Sequence, residues 1–298
     1  MKILKIHAEE TGGGANRIAT SLLNQYLELG NETIMAVGHK ASQREEILKV
    51  DNDGHRNNVY RLVRGLKHYS LANQIPVVPR IFASLEEYAE PIRFLRNYLG
   101  CEDFVYPGSN NILRNIPWEP DVIHIHSLHS GFFDLRYLAE LSQHYPVFLT
   151  LHDCWMLTGH CAYPYDCSRW KDACGKCPYL TRSIAINKDA SSYNLRRKKD
   201  IYSRSKLYVS APSNWLSGMV RDSVLQAGSL NVRTVPNGVD SRIFKYKDKY
   251  EARDLIGEKR DDFIILFIGN NATINPAKGF GVMQKVVETL STSTMKNI

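Results

Sequence analysis

Short apolar runs alternate with amphipathic stretches along most of this 298-residue chain. Runs rich in Ile, Val and Leu are typical of strands that are buried on both faces of a sheet. Six such runs predict strands: Met1–His7, Thr33–Val37, Val122–His126, Pro146–Thr150, Leu207–Ser210 and Asn231–Val235. Glycines and a helical stripe of apolar residues separate the first run from the second. Strand, helix and strand in this order predict an α/β fold with a Rossmann-like parallel sheet flanked by helices.

The pattern changes in the middle and at the end of the chain. Residues 40–118 contain helical patterns such as Ser84–Leu99 without clear strands, and we interpret them as an insertion. Near the end, Phe263–Ile268 predicts a strand, and a predicted helix follows it. One strand and one helix cannot bury a core alone. We therefore expect an N-terminal domain over residues 1–240, and over residues 241–298 a linker and the start of an incomplete second domain.

The net charge of +7 favours an anionic partner. Nucleic acid is not the expected partner, because no nucleic-acid-binding motif accompanies the charge. Basic residues cluster at His55–His68 and Arg196–Lys199, and the first cluster places Val59, Leu62 and Leu66 at helical spacing. An apolar stripe flanked by positive charge suits peripheral contact with an anionic membrane; a solvated helix packed on its own domain is the alternative. With no secretory leader or spanning run visible, we expect a cytoplasmic location at the inner membrane face.

A glycine run follows the first predicted strand. Gly12, Gly13 and Gly14 open the first helix, where unpaired backbone N–H groups favour an anion or the close approach of a sugar. The run lacks the full spacing of a dinucleotide-binding loop, so a plain tight turn is the alternative. Lys278 precedes the last predicted helix and could place an ammonium group on a phosphate. These four residues are candidates for binding an anionic substrate.

Polar side chains also end two consecutive predicted strands. His126 closes one strand, and His152 and Asp153 follow the next. Because neighbouring parallel strands end at the same edge of a sheet, we expect these three side chains to lie close together. They could form a metal site of the hydrolase type, or neutral hydrogen-bonding groups that hold a sugar and a phosphate. His124, on the same face as His126, we interpret as a hydrogen-bonded core histidine.

Five of the six cysteines lie within residues 149–180. Cys161, Cys167, Cys174 and Cys177 are separated by five, six and two residues. A Cys-x-x-Cys pair with two further thiols can bind a structural zinc ion. The first two spacings differ from those of common zinc folds, so packed thiols are the alternative. A redox role for Cys174 and Cys177 is disfavoured, because the sequence after them does not open a helix.

Together these motifs resemble the retaining glycosyltransferases of family 4, which have the two-domain GT-B fold. The resemblance rests on the order of five segments: Gly12–Gly14, Asp121–His126, Thr150–Asp153, Ala211–Ser213 and Pro236–Asp240. The cysteine-rich segment resembles the branch associated with bacterial exopolysaccharide, O-antigen and colanic-acid assembly.

The resemblance implies transfer of a hexose from a nucleotide-diphosphate sugar to a lipid-linked oligosaccharide, with no cofactor required for catalysis. It implies that His126 contacts the donor sugar, while His152 and Asp153 orient the acceptor or support His126. The donor-binding candidates are then Gly12, Gly13, Gly14, Asn237, Gly238 and Lys278.

Two departures from the family pattern qualify this expectation. Asn270 follows Gly269 where the family usually has an arginine, and the family's paired glutamates would lie beyond Ile298. We therefore expect a truncated chain. A non-catalytic remnant that binds acceptor or membrane, and a metal-dependent hydrolase that uses the histidines, are the alternatives to a transferase.

Overall fold

The computed structural model describes residues 1–75 and 78–292 and divides into two compact units, residues 1–237 and a second that starts at Gly238. The first unit contains the parallel strands Lys2–Glu9 (β1), Glu32–His39 (β2), Ile47–Lys49 (β3), Val122–Ile125 (β4), Val147–Thr150 (β5), Leu207–Ala211 (β6) and Ser229–Thr234 (β7). Their order across the sheet is β3-β2-β1-β4-β5-β6-β7. The predicted α/β fold with a Rossmann-like parallel sheet is confirmed.

Helices connect and flank these strands. In the first unit they are Gly14–Glu28 (α1), Asn58–Ala72 (α2), Val78–Tyr88 (α3), Pro91–Tyr98 (α4), Tyr137–His144 (α5), Ser191–Tyr202 (α6) and Asn214–Arg221 (α7). The second unit contains Lys249–Ile256 (α8) and Phe280–Thr292 (α9). None of the helices in the described ranges is both long and apolar enough to cross a membrane.

The central strands of the sheet are buried, which explains why their sequences are apolar runs. Strand β1 pairs with β2 on one side and with β4 on the other, so its residues from Ile3 to Ala8 are all buried. In the shared register Ile6 lies beside Ile125, which in turn lies beside Leu149 of β5. From β1 the chain continues through β2 to β3 at the edge of the sheet and then crosses to β4 on the other side of β1. Ligands of open α/β sheets bind at such a switch point, beyond the carboxyl ends of the strands.

Two predictions for the insertion need correction. Ile47–Lys49 forms the edge strand β3, which has only three residues and therefore no readable alternation. The predicted helix over Ser84–Leu99 is two helices, because Pro91 begins α4. A proline inside a helix would remove a backbone hydrogen bond and clash with the preceding turn, whereas the first turn accepts it.

The strand predicted at Phe263–Ile268 is wrong in the described part of the second unit, where this segment has no regular secondary structure. A strand needs a neighbour with which to exchange backbone hydrogen bonds, and no strand is present among residues 238–292. The apolar side chains of the run other than Phe267 are exposed, with Leu266 77% and Ile268 83% exposed. The predicted helix that follows is confirmed as α9.

The basic cluster Arg196–Lys199 is not a uniform solvated face. Lys198 of α6 is fully buried and forms an ion pair of 3.0 Å with Glu102. Its ammonium group also donates to the carbonyl oxygens of Trp155 at 2.8 Å and Thr158 at 3.0 Å. Lys198 therefore joins α6 to the segment that follows β5.

Candidate functional site

Two histidines meet where β4 and β5 end. His126 directly follows β4 and His152 lies two residues after β5. Nδ1 of His126 is 2.9 Å from Nε2 of His152, and the two rings stack with an interplanar angle of 13°. The predicted proximity of these side chains is confirmed, since β4 and β5 are neighbouring parallel strands whose carboxyl ends share one edge.

Strand β1 adds two polar side chains that the sequence interpretation missed. Nζ of Lys5 is 2.9 Å from Nε2 of His126, and the ring of His7 packs edge-on against the ring of His126. Both Lys5 and His7 are fully buried. Alternate residues of a strand share a face, so two polar residues at positions 5 and 7 of an otherwise apolar run were the available signal.

Burial controls the charge of this cluster. Desolvation lowers the pKa of Lys5 to about 7 and that of His7 to about 4. Desolvation, followed by the positive charge of Lys5, also holds the pKa of His126 well below its usual range. Desolvation also lowers the pKa of His152. The imidazoles are therefore neutral at pH 7, and each carries one ring proton.

His124 lies on the same face of β4, further from the strand end. Its Nδ1 is 3.1 Å from the hydroxyl group of Tyr26, and its Nε2 is 2.9 Å from Oγ1 of Thr150. Thr150 in turn bonds to Ser210 of β6 at 2.7 Å. The predicted hydrogen bonding of His124 is confirmed, although the residue is half-buried and not part of the fully buried core.

The glycine run lies at the carboxyl end of β1. Gly13 is the N-cap of α1 and provides no side chain to cap it. Gly12 has a φ of +127°, and a Cβ there would lie 2.8 Å from Nδ2 of Asn16. Asn16 holds the loop against the sheet, because its Oδ1 is 3.0 Å from Nε2 of His7 and its amide donates to Thr11. The structure thus brings the glycine run beside the histidine cluster.

Asp153 is oriented differently from the prediction. Its Oδ2 is 2.9 Å from Nε2 of His129, and its Oδ1 accepts the backbone N–H of Trp155 at 2.8 Å. Within the described ranges, no three His, Cys, Asp or Glu side chains are grouped so that they could hold a metal ion. The hydrolase-type metal site of His126, His152 and Asp153 is therefore not formed.

The accessibility of the two central histidines also differs. His126 is only 1% exposed, and both of its ring nitrogens are within hydrogen-bond distance of a protein partner. His152 is partly exposed. In this arrangement His152 is the member of the pair that can reach a ligand, and His126 lies behind it. Direct contact between His126 and a sugar would require one of its two hydrogen bonds to be broken.

The four cysteines considered as zinc ligands line one cavity of about 20 Å³, together with His160, whose Nε2 is 3.2 Å from Sγ of Cys177. Such a volume holds roughly one water-sized atom. Burial raises the pKa of Cys174 to about 11, which disfavours a reactive thiolate and thus a redox role. As placed, the thiols of the described chain do not converge on a metal position. Zinc binding by Cys161, Cys167, Cys174 and Cys177 stays a prediction.

The remaining donor-binding candidates lie near the division between the units or beyond it. Asn237 is the last residue of the first unit, and Gly238 begins the second. Lys278 ends a short turn, Pro276–Lys278, which leads through Gly279 into α9. Lys278 thus precedes a helix as predicted, and the binding roles of these residues stay predictions.

Comparison with known proteins shows the family to which the chain is similar. The sequence model of Glycosyltransferase Family 4 matches residues 12–242. A protein of Escherichia coli (strain K12), named as the colanic acid biosynthesis glycosyl transferase WcaC, is 27% identical over 248 residues, which are 80% of this chain and 55% of that protein. HepE of Anabaena, solved with UDP-glucose and with UDP, gives TM-scores of 0.40 and 0.39 at 16% identity, covering 86% of this chain and 50% of HepE. The chain spans about half the length of these relatives.

Proposed function

Because the chain belongs to glycosyltransferase family 4, we propose that it acts in the transfer of a hexose from a nucleotide-diphosphate sugar to a lipid-linked oligosaccharide acceptor. The match over residues 12–242 carries this proposal, since it includes the glycine run and both strand-end histidines. The name of the E. coli relative supports surface polysaccharide biosynthesis as the setting. We further propose that the hexose keeps its anomeric configuration, as the resemblance to retaining enzymes implies.

The geometry suits this chemistry at the leaving group. A departing nucleoside diphosphate gains negative charge, which backbone N–H groups at a helix start or a cation can stabilise. The uncapped start of α1 after Gly13 offers such N–H groups. Lys278 is the cation that the family resemblance alone implies. His152 offers a neutral ring nitrogen to a sugar or phosphate oxygen. No carboxylate in the described ranges hydrogen-bonds to His126 or His152, so we assign no carboxylate nucleophile.

The experiment is a transfer assay on the purified chain. It is incubated with UDP-, GDP- and dTDP-hexoses and with lipid-linked oligosaccharides, and the released nucleoside diphosphate and the extended glycolipid are both measured. His152→Ala should lower transfer by roughly 100-fold, the usual effect of removing one stabilising donor. His144→Ala removes an exposed histidine from α5 and should leave transfer unchanged. Acceptor binding without turnover would favour the non-catalytic remnant. The absence of both turnover and binding would contradict the proposal.

We also propose peripheral contact with the membrane through α2, at the inner membrane face. Its side chains Val59, Leu62, Leu66 and Tyr69 recur every three or four residues and are all exposed. Such a face suits insertion at the level of the lipid headgroups. Contiguous exposed apolar surface of this kind is uncommon on proteins that make no contact there.

Charge contributes less to this surface than the sequence suggests. Arg64 pairs with Asp53 at 2.8 Å, and Lys67 pairs with Glu86 at 2.7 Å. The apolar side chains should therefore carry most of the binding. Co-sedimentation with vesicles of phosphatidylethanolamine and phosphatidylglycerol should fall at least ~10-fold for a double Leu62→Asp and Leu66→Asp variant, which loses two inserted side chains. Equal binding by the variant would refute contact through α2.

A further inference from the structure

Lys5 is buried without a compensating negative charge. Its side chain is 0% exposed, and no ion pair involves it in the part of the chain that the structure describes. Its neighbours are Nε2 of His126 at 2.9 Å and the ring of Tyr26, whose centroid is 5.1 Å from Nζ. Burying an amine in this way is unfavourable unless the amine is hydrogen-bonded. The bond to His126 is therefore the main polar contact that holds Lys5 in place.

The contacts form a linear chain from the interior to the strand ends. Nζ of Lys5 meets Nε2 of His126, and Nδ1 of His126 meets Nε2 of His152. Nδ1 of His152 has no hydrogen-bond partner among the described residues, and the ring is partly exposed. A neutral imidazole has one nitrogen that donates and one that accepts, so fixing the proton on the first ring fixes it on the second.

We propose that Lys5 is a positioning residue that sets the ring protons of His126 and His152, so that His152 presents its Nδ1–H outwards as a hydrogen-bond donor. Below the pKa of Lys5, which is about 7, the amine is an ammonium group that can only donate, so Nε2 of His126 accepts and the ring proton lies on Nδ1. That proton is donated to Nε2 of His152, whose own proton then lies on Nδ1. The ligand matched to this donor is a phosphate or sugar oxygen, which rests on the proposed function.

The opposite polarity would give a different site. If Lys5 were a neutral amine and accepted a hydrogen bond from Nε2–H of His126, the bond between the two histidines would reverse. His152 would then present a bare Nδ1, which accepts a hydrogen bond and repels a phosphate oxygen. The positions of the two ring protons therefore decide between a donor and an acceptor at this strand end.

NMR spectroscopy detects the ring protons of His126 and His152 directly. Long-range ¹H–¹⁵N correlation spectra of the ¹⁵N-labelled chain separate protonated from bare ring nitrogens, and His126→Gln and His152→Gln variants assign the two rings. We expect Nδ1–H on both rings in the wild type at pH 6, where Lys5 is an ammonium group. Lys5→Met should remove this preference in both, while Lys2→Met, a substitution on the same strand, should leave it intact. His124, held by Tyr26 and Thr150, should not change.

Two results at pH 6 would overturn the proposal: Nε2–H on His126 in the wild-type chain, or unchanged tautomers in a folded Lys5→Met variant. The wild-type spectrum decides the first even where the variant does not fold. Titration with UDP-, GDP- and dTDP-glucose addresses the proposed function separately, by the shift of the Nδ1 resonance of His152. No shift, with the tautomers as expected, would count against donor binding and leave the role of Lys5 intact.

Discussion

Replacement of Lys198 by methionine is the sharpest test of how the cysteine-rich segment is held. Methionine keeps an unbranched apolar chain and removes the ammonium group that bridges three groups on other segments. The carboxylate of Glu102, which is almost fully buried, loses its ion-pair partner and keeps the bond from Nε1 of Trp155. Two backbone carbonyl oxygens, of Trp155 and Thr158, lose the donor that Lys198 provides.

The expected loss follows from the burial of the pair. Breaking a buried ion pair from one side costs about 3–5 kcal/mol, against a total free energy of unfolding of about 5–15 kcal/mol for a domain. For a domain of this size each kcal/mol lowers the Tm by about 2–4 °C, so Lys198→Met should lower the Tm by roughly 6–20 °C. The neighbouring Lys199 is exposed, and Lys199→Met should change the Tm by no more than about 2 °C.

Tryptophan fluorescence during thermal unfolding measures this effect, because all four tryptophans lie in the first unit. Far-UV circular dichroism provides a second signal, independent of the local environment of Trp155. Adding Glu102→Gln to Lys198→Met removes the unpaired carboxylate charge and should restore part of the lost Tm. A Tm for Lys198→Met within about 2 °C of that for Lys199→Met would refute the reasoning, since no buried charge pair would then have been broken.

Two further predictions concern the histidine cluster and the cysteines. The pKa of Lys5 is about 7 in the folded chain and about 10.4 when unfolded, so the unfolded chain binds more protons between these pH values. Stability should therefore rise with pH across this window by up to about 1.4 kcal/mol per unit. Urea unfolding at pH 7, 8 and 9 should show this rise in the wild type and not in Lys5→Met. Equal slopes of the unfolding free energy against pH in the two chains would contradict the prediction. The zinc hypothesis predicts about one zinc ion per chain by elemental analysis, as in other structural zinc sites. Cys174→Ser with Cys177→Ser should lose the ion, Cys101→Ser should keep it, and a zinc-free wild type would contradict the hypothesis.

The limits of the sequence interpretation are clearest at single residues. Lys5 stands out in an apolar run, yet its partner His126 is 121 residues away, and no local pattern connects them. Asp153 meets His129 instead of the histidine pair, because the turn after β5 directs its carboxylate there. The apolar run Phe263–Ile268 satisfies the strand pattern and still forms no strand, since a pattern does not supply a hydrogen-bonding neighbour.

The sequence by itself determined the parallel α/β sheet and the meeting of His126 with His152. Both follow from local and repeated features: apolar runs bury strands, and consecutive parallel strands end at one edge of a sheet. Only the tertiary structure decided which ring nitrogens meet, that Lys5 completes the chain behind them, and that Lys198 is buried. These facts depend on hydrogen bonds between residues far apart in sequence, whose geometry is set by packing and leaves no periodic trace in the sequence.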